Sequence, residues 1–142
     1  MLAALSEAQG ADSRGEVPVG AVIVKNLKII ARAGNKTIEK KDPTAHAEII
    51  AIRKACQRID SQYLINCDLY VTIEPCTQCT AAISLSRLQR LYFGAENKKG
   101  GAVINGVRFF DHKTCYHRPE YYSGFYETSC KEILKKFFLK KR

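Results

Sequence analysis

Strand-like and helix-like patterns alternate along most of this 142-residue chain, and this alternation restricts the fold more than any other feature. Apolar runs typical of strands occupy 16–24, 28–33, 67–73 and 90–95, and a short turn between the first two indicates a hairpin. Apolar residues at helical spacing occupy 45–59, 75–88 and the C-terminal segment. The alternation favours an α/β domain, with a largely parallel sheet after the initial hairpin.

Other segments carry weaker signals. Residues 96–124 show little periodicity, so we expect a long loop with one short helix, and such loops are often functional. Pro75 is expected in the first turn of its helix, where no intrahelical donor is needed. No feature marks a domain boundary, and the sequence predicts a single domain over 1–142. The C-terminal helix carries an apolar stripe made of Cys130, Ile133, Leu134, Phe137 and Phe138.

Composition argues against secreted and membrane-spanning classes. The N-terminal segment has too short an apolar run and too many acidic residues for a signal peptide. No run in the chain approaches the roughly 20 apolar residues of a membrane span. We therefore expect a cytoplasmic protein whose six cysteines stay reduced, since disulfide frameworks belong to small secreted chains. Four of the cysteines are predicted to be small buried residues: Cys56, Cys67, Cys115 and Cys130.

The formal charge of +9 comes from 23 basic and 14 acidic residues. A chain this basic attracts polyanions, of which nucleic acid is the commonest. The alternative is a solvated surface with a high isoelectric point and no polyanionic partner.

The stretch "EPCTQC" contains Cys76 and Cys79, which could form a redox pair, half of a structural zinc site or part of a catalytic metal site. No second C-x-x-C exists, and the histidines beyond residue 110 lie too far away for a zinc finger. His46, in "TAHAE", stands at the start of one predicted helix, and both cysteines stand at the start of the next. Three converging ligands leave one position open, as in catalytic zinc sites.

Glu48, two residues after His46, is the candidate general acid and base. Zinc lowers the pKa of bound water to about 7, which gives a hydroxide nucleophile at neutral pH. If that hydroxide attacks an amino-substituted ring carbon, one carboxylate can pass protons to the ring nitrogen and then to the leaving amine. Glu48 fits that role, so the four residues are compatible with a hydrolytic deamination.

H-x-E together with P-C-x-x-C is the known signature of zinc deaminases that act on nucleobases. The stretches "GEVPVGAVIV", "GNKTIEKKDPTAHAEI", "LYVTIEPCTQC", "AAISLSRLQRLYFGA" and "HRPEYYSGF" resemble, in order, the bacterial tRNA-specific adenosine deaminases of the cytidine-deaminase-like superfamily. The resemblance implies a three-layer α/β/α sandwich around a five-stranded mixed sheet, and a homodimer. It also implies conversion of the wobble adenosine in a tRNA anticodon stem-loop to inosine, with release of ammonia.

The resemblance assigns roles residue by residue. His46, Cys76 and Cys79 match the ligands of one Zn²⁺ per chain, and Glu48 matches the glutamate that shuttles protons. Asn35 matches an asparagine that hydrogen-bonds the purine. The backbone amide of Ala47 and the side chain of Val19 are expected to line the same pocket.

Four places depart from the family pattern. Gln78 replaces a methionine between the zinc cysteines, where we expect it near the dimer surface, and Asn97 replaces a common aspartate. Tyr116 replaces an asparagine, and the segment "NGVRFF" (105–110) is bulkier than usual. These changes affect the expected RNA-binding loops, in which Tyr116, Tyr121 and Tyr122 could stack on bases or instead make core or dimer contacts.

Three other functions compete with this one. A deaminase of the same superfamily could act on a free base or nucleoside such as guanine or cytosine, and it would turn over those small substrates. A non-catalytic, zinc-stabilised RNA-binding protein would have no use for Glu48. A thioredoxin-like redox role would leave His46 and Glu48 without a purpose.

Overall fold

The computed structural model describes residues 1–142, and its centre is one five-stranded mixed sheet. The strands are β1 (Gly20–Lys25), β2 (Lys28–Gly34), β3 (Cys67–Ile73), β4 (Arg90–Ala95) and β5 (Glu120–Tyr122), in the order β2-β1-β3-β4-β5. The predicted hairpin is confirmed, because β1 pairs antiparallel with β2. The pairs β3–β4 and β4–β5 are parallel, whereas β1 also runs antiparallel to β3. The strands that follow the hairpin are therefore parallel to one another, as predicted, and the antiparallel pairing of β1 with β3 is the feature that the strand–helix alternation did not predict.

Four α-helices cover the two faces of this sheet: α1 (Leu2–Ser13), α2 (Ala47–Ile59), α3 (Thr77–Leu85) and α4 (Glu127–Lys140). Helices α1 and α4 contact each other and pack on one face, α1 against β1 and β2 and α4 against β4. Helices α2 and α3 contact each other on the opposite face. The architecture is the expected three-layer α/β/α sandwich. No helix has both the length and the apolar character needed to cross a membrane.

The main hydrophobic core lies between the sheet and the layer of α2 and α3. Its 21 buried residues include Leu69 of β3, Phe93 of β4, Ile50 of α2 and Ile83 of α3. Burying each such side chain contributes about 1.5–3 kcal/mol. This core holds α2 and α3 against the sheet, and so fixes where the two helices begin.

Close packing of α1 on the opposite face depends on glycine. A Cβ added to Gly20 would lie 1.9 Å from the carbonyl oxygen of Ala4, and one added to Gly34 would lie 2.7 Å from that of Glu7. Both distances are far below van der Waals contact, so α1 can approach β1 and β2 this closely only where the side chains are missing.

Several predicted boundaries are wrong. Residues 16–19 precede β1 and do not belong to it, and Pro75 lies before α3, not in its first turn. The expected loop 96–124 contains a short 3₁₀ helix (Phe109–Asp111), as predicted, but also the short strand β5. Only three residues long and exposed, β5 lacks the apolar alternation by which strands are identified.

All six cysteines are free, and three of the four predicted to be buried are buried: Cys67, Cys115 and Cys130. Cys56 is only half-buried. On α4, Cys130 and Phe137 are buried, whereas Phe138 is half exposed at the end of the apolar stripe.

Candidate metal centre and active site

Two strand-to-helix connections meet at one edge of the sheet. Residues 35–46 join β2 to α2, and residues 74–76 join β3 to α3. His46 and Cys76 occupy the N-cap positions of α2 and α3, both with extended backbone, and neither side chain makes a capping hydrogen bond. N-caps are usually Ser, Thr, Asp or Asn, whose side chains bind the helix backbone. Here the cap side chains are free to point at each other.

The structure brings His46, Cys76 and Cys79 together. The Nδ1 atom of His46 lies 3.5 Å from each cysteine sulfur, and the three donor atoms all lie within 4.8 Å of one another. Zinc bonds of about 2.3 Å to sulfur and about 2.0 Å to nitrogen, at a tetrahedral angle, would separate those atoms by about 3.5 Å. The spacing of the donors therefore fits one zinc ion.

The pKa values of the three donor side chains also favour a bound cation. A hydrogen bond from Cys79, together with one from His46, lowers the pKa of Cys76 to about 4. The same hydrogen bond and burial raise the pKa of Cys79, because its proton is held between the two sulfurs. The hydrogen bond to Cys76 also raises the pKa of His46. Two thiolates can stand side by side only if a cation replaces that proton, and an S₂N donor set suits Zn²⁺.

Glu48 lies in the first turn of α2, beside this cluster, and is only 3% exposed. Burial raises the pKa of its carboxyl group. A buried carboxyl group with a raised pKa can hold and release a proton nearer to neutral pH than an ordinary glutamate.

A cavity of about 890 Å³ opens onto Glu48, His46 and Cys76. The three residues that sequence comparison placed in a substrate pocket, Val19, Asn35 and Ala47, all line it. As the first residue of α2, Ala47 has a backbone N–H without an intrahelical acceptor. The cavity thus offers an apolar wall, a side-chain amide and a free backbone donor beside the candidate metal site.

Sequence reasoning missed two buried carboxylates that hold the cavity walls. Glu16 and Glu74 are each 1% exposed. Glu16 accepts hydrogen bonds from the backbone N–H groups of Ile38 and Glu39 at 3.0 and 2.8 Å. A charged residue at the head of an otherwise apolar run, as in "EVPVGAV", was the available signal, because a buried carboxylate must be hydrogen-bonded.

Glu74 plays the corresponding part for the loop 97–105. Its carboxylate accepts backbone N–H bonds from Asn97, Val103, Ile104 and Asn105, at 2.8–3.1 Å. Burial alone would raise the pKa of Glu74, but these bonds and one from the Asn105 side chain lower it overall. The acidic residue before "PC" is therefore the anchor of a loop that lines the cavity.

Two of the unusual residues are explained by local contacts. Gln78 donates a hydrogen bond from Nε2 to the carbonyl oxygen of Thr44 at 3.2 Å, which ties α3 to the connection before α2. Asn97 lines the cavity, and its Oδ1 accepts a bond from the Gly100 N–H at 3.0 Å.

The bulky segment 105–110 and the tyrosines after it differ in burial. Phe110 is buried in the main core, and Tyr121 packs near it with ring centroids 6.2 Å apart. Tyr122 stacks on Tyr92 at 5.4 Å. Tyr116 is 95% exposed, so of the three tyrosines it is the one most free to meet a partner.

The chain is similar to known deaminases along its whole length. The family model of MafB19-like deaminases matches residues 1–142. A tRNA-specific adenosine deaminase of Agrobacterium fabrum is 55% identical over 139 residues, which cover 98% of this chain and 91% of that protein.

Solved structures show the same likeness. One from a study of A-to-I editing by tRNA:A34 deaminases at the wobble position of transfer RNA superposes with a TM-score of 0.93 at 55% identity, covering 94% of this chain and 97% of that one. A guanine deaminase of Bacillus subtilis gives a TM-score of 0.63 at 42% identity, covering 66% and 60%. From the match along its whole length and the high identity to its relatives, this chain belongs to the MafB19-like deaminases and, within them, to the tRNA-specific adenosine deaminases.

Proposed function

We propose that this protein hydrolyses the wobble adenosine of a tRNA anticodon to inosine and releases ammonia, through a single zinc-dependent domain spanning 1–142. One observation carries the proposal. A buried carboxylate, Glu48, lies beside the His46, Cys76 and Cys79 donors at the wall of a cavity large enough for a nucleoside. Its relatives named as tRNA-specific adenosine deaminases supply the substrate class.

His46, Cys76 and Cys79 would hold one zinc ion per chain. When bound, the zinc would act as a Lewis acid that makes a coordinated water a nucleophile at neutral pH. The three residues also fix the position of the reaction, because two of them are helix N-caps and the third lies within one turn of a helix start.

Glu48 would move the protons. Its carboxylate takes a proton from the attacking water and gives it to the purine ring nitrogen next to the reacting carbon. The second proton of the same water then passes through Glu48 to the amino substituent. The C–N bond breaks, ammonia leaves as a neutral molecule, and the water oxygen remains on the ring carbon as a carbonyl. The raised pKa of Glu48 suits both directions of transfer.

The base would be held by three groups on the cavity wall. Val19 offers an apolar surface, the Ala47 N–H is free to donate, and the amide of Asn35 can hydrogen-bond a purine. These contacts would orient the amino-bearing carbon toward Glu48.

The tRNA would meet a basic rim around the cavity. Lys99, Lys141 and Arg142 line it, and the chain as a whole carries a charge of +9. Exposed Tyr116 offers a ring on which an unpaired base could stack. Binding of an anticodon stem-loop should weaken steeply as salt rises, and a flat salt response would contradict the basic rim as the RNA site.

A cytoplasmic homodimer completes the proposal, supported by the family to which the chain belongs. Light scattering of the purified protein should give twice the 15.9 kDa chain mass. A monomer at the concentrations that support activity would contradict the dimer.

A second candidate function is supported by one observation. The guanine deaminase of Bacillus subtilis shares 42% identity over the matched part of the chain, so the pocket could accept a free purine. The two functions differ in a simple assay, because a free-base enzyme would turn over guanine or cytosine and the tRNA enzyme would not.

The deciding experiment uses a stem-loop with adenosine at the wobble position, together with free guanine and cytosine. Inosine formed by the wild type but not by Glu48→Ala would support the proposed reaction and the role of the glutamate. Turnover of a free base without any inosine would move the assignment to the second candidate. Equal activity in wild type and Glu48→Ala would exclude Glu48 as the proton carrier.

A further inference from the structure

Glu16 does more than hold a loop, because its carboxylate also contacts a cavity residue. Its Oε2 atom lies 3.4 Å from Nδ2 of Asn35 and 3.3 Å from Oγ1 of Thr37. Nδ2 of Asn35 also lies 3.5 Å from the Thr37 hydroxyl. Glu16, Thr37 and Asn35 thus form a closed network behind the cavity wall.

The chemistry of the network allows only one orientation of the Asn35 amide. A carboxylate only accepts hydrogen bonds, so the NH₂ group of Asn35 must face Glu16. The Thr37 hydroxyl donates to Glu16 and can accept from Asn35, which satisfies every member. Oδ1 of Asn35 accepts no hydrogen bond from the protein and is not shut off from the cavity that Asn35 lines.

The backbone of Asn35 is held independently of this network. Its N–H donates to the carbonyl oxygen of Val19 at 3.0 Å, and its own carbonyl oxygen accepts from Arg14 at 3.4 Å. Only the side-chain amide therefore depends on Glu16 for its direction.

We propose that Glu16 is a positioning residue that sets substrate specificity, because it turns the Asn35 amide so that an acceptor oxygen, and not an NH₂ group, faces the substrate. This inference rests on the proposed function, since it assumes that Asn35 contacts the substrate. It assigns to Glu16 the donor–acceptor pattern that the cavity presents. Because the ring nitrogens of adenine are acceptors, the group that meets Oδ1 of Asn35 must be a donor, which is the amino group of the base or a ribose hydroxyl.

The substitution Glu16→Gln tests the proposal with little change in shape. The new amide oxygen can still accept from the backbone of Ile38 and Glu39, so the loop stays anchored. The new NH₂ group, however, would face the NH₂ group of Asn35, and the pair is satisfied only if the Asn35 amide rotates by half a turn. The cavity then presents a donor where it had an acceptor.

We expect Glu16→Gln to lower kcat/KM on the stem-loop by about tenfold to a hundredfold, as when a hydrogen bond to substrate is replaced by two facing donors. Glu39→Gln is the matched control. It makes the same chemical change in the same loop, but the Glu39 side chain pairs with Arg14 and Lys36 at the surface. We therefore expect Glu39→Gln to leave activity unchanged.

Asn35→Asp separates orientation from structural support. An aspartate presents an oxygen to the cavity whichever way it turns. In the wild-type background Asn35→Asp meets the Glu16 carboxylate, so it should be less active than the wild type. In the Glu16→Gln background, the double variant should be more active than Glu16→Gln alone. A loss in both backgrounds would overturn the proposal, and so would full activity of Glu16→Gln.

A spectroscopic measurement keeps the inference separate from the reaction. In ¹⁵N-labelled full-length protein, the side-chain NH₂ resonances of Asn35, assigned through Asn35→Asp, should shift in Glu16→Gln and stay unchanged in Glu39→Gln. That result would support the positioning role even if the wild type formed no inosine. Unshifted resonances in Glu16→Gln would overturn it, whatever the substrate proves to be.

Discussion

The two connections that build the candidate site reach the same cluster by different means. The β3–α3 connection spans only residues 74–76, so Cys76 and Cys79 follow the end of β3 almost directly. The β2–α2 connection spans residues 35–46 and must be shaped by contacts from elsewhere before His46 and Glu48 arrive at the same place. Both connections are held by residues distant in sequence, but they differ in length. In the short one, the Glu74 N–H donates to the carbonyl oxygen of Ala95 at 2.8 Å and the carbonyl oxygen of Pro75 accepts from the Ala102 N–H at 2.9 Å. The long one has twelve residues to place between β2 and α2.

A buried carboxylate is associated with each connection, but the two carboxylates anchor different segments of the chain. Glu74 belongs to the short connection itself and anchors a different loop, residues 97–105. Glu16 lies before β1 and anchors the long connection at Ile38 and Glu39. Gln78 then links the two connections through its bond to Thr44. The site is thus assembled by a few long-range hydrogen bonds on a core that already fixes α2 and α3.

The largest expected effect comes from removing a metal donor from the first turn of α3, directly after the short connection. Cys79→Ala should release the zinc and abolish deamination, although His46 on the long connection remains, because two ligands hold the ion far more weakly than three. Metal content would be measured by mass spectrometry alongside inosine formation. Cys56→Ser is the control, since Cys56 lies outside the cluster and should leave one zinc per chain. A metal-free but fully active protein would contradict the zinc site.

The next largest effect is expected at Glu48, in the first turn of the helix that follows the long connection. Glu48→Gln should lower kcat by about 10²–10⁴-fold, the usual contribution of a general acid and base, while zinc stays bound. Single-turnover formation of inosine would measure the loss. Glu39→Gln in the preceding connection should retain full activity, because its side chain lies at the surface. Retained activity in Glu48→Gln would exclude Glu48 as the proton carrier and leave the long connection with His46 as its only contribution to the chemistry.

Removing the two anchoring carboxylates should destabilise different loops. Glu16→Ala and Glu74→Ala each leave several backbone donors buried without acceptors, and each should lower the free energy of unfolding by about 2–3 kcal/mol. Hydrogen exchange should then accelerate around residues 36–42 in Glu16→Ala and around 97–105 in Glu74→Ala. Urea titration would give the stabilities. Exchange that changes equally in both loops for both variants would show that the connections are not anchored separately.

The smallest effect concerns the entry to the long connection. Gly34 ends β2, and a methyl group there would meet the carbonyl oxygen of Glu7 at 2.7 Å. Gly34→Ala should therefore cost about 1–2 kcal/mol through overpacking against α1. Gly10→Ala is the matched control, because its added methyl group would meet only the Arg14 side chain, at 3.4 Å, and should be neutral or slightly stabilising. Equal stability of the two variants would show that α1 can move away from β2.

The local signals in the sequence accounted for much of the fold. Strands β2, β3 and β4 and helix α2 lie where apolar periodicity predicted them, within two residues at each end. Strand β5 was not predicted from the sequence, because its exposed residues form a strand only through pairing with β4. The antiparallel direction of β1 against β3 is likewise a property of the assembled sheet.

For the candidate site, the sequence by itself determined which residues could carry the chemistry, because metal ligands and proton carriers must be particular side chains at particular spacings. Only the tertiary structure decided that His46 stands 3.5 Å from both sulfurs, and that Glu16 and Glu74 are buried behind the cavity walls. The physical reason is the sequence separation of the interactions involved. Spacing along a helix or strand is set by neighbouring residues, whereas the loops that close the site are held by hydrogen bonds from residues that only the folded core brings near.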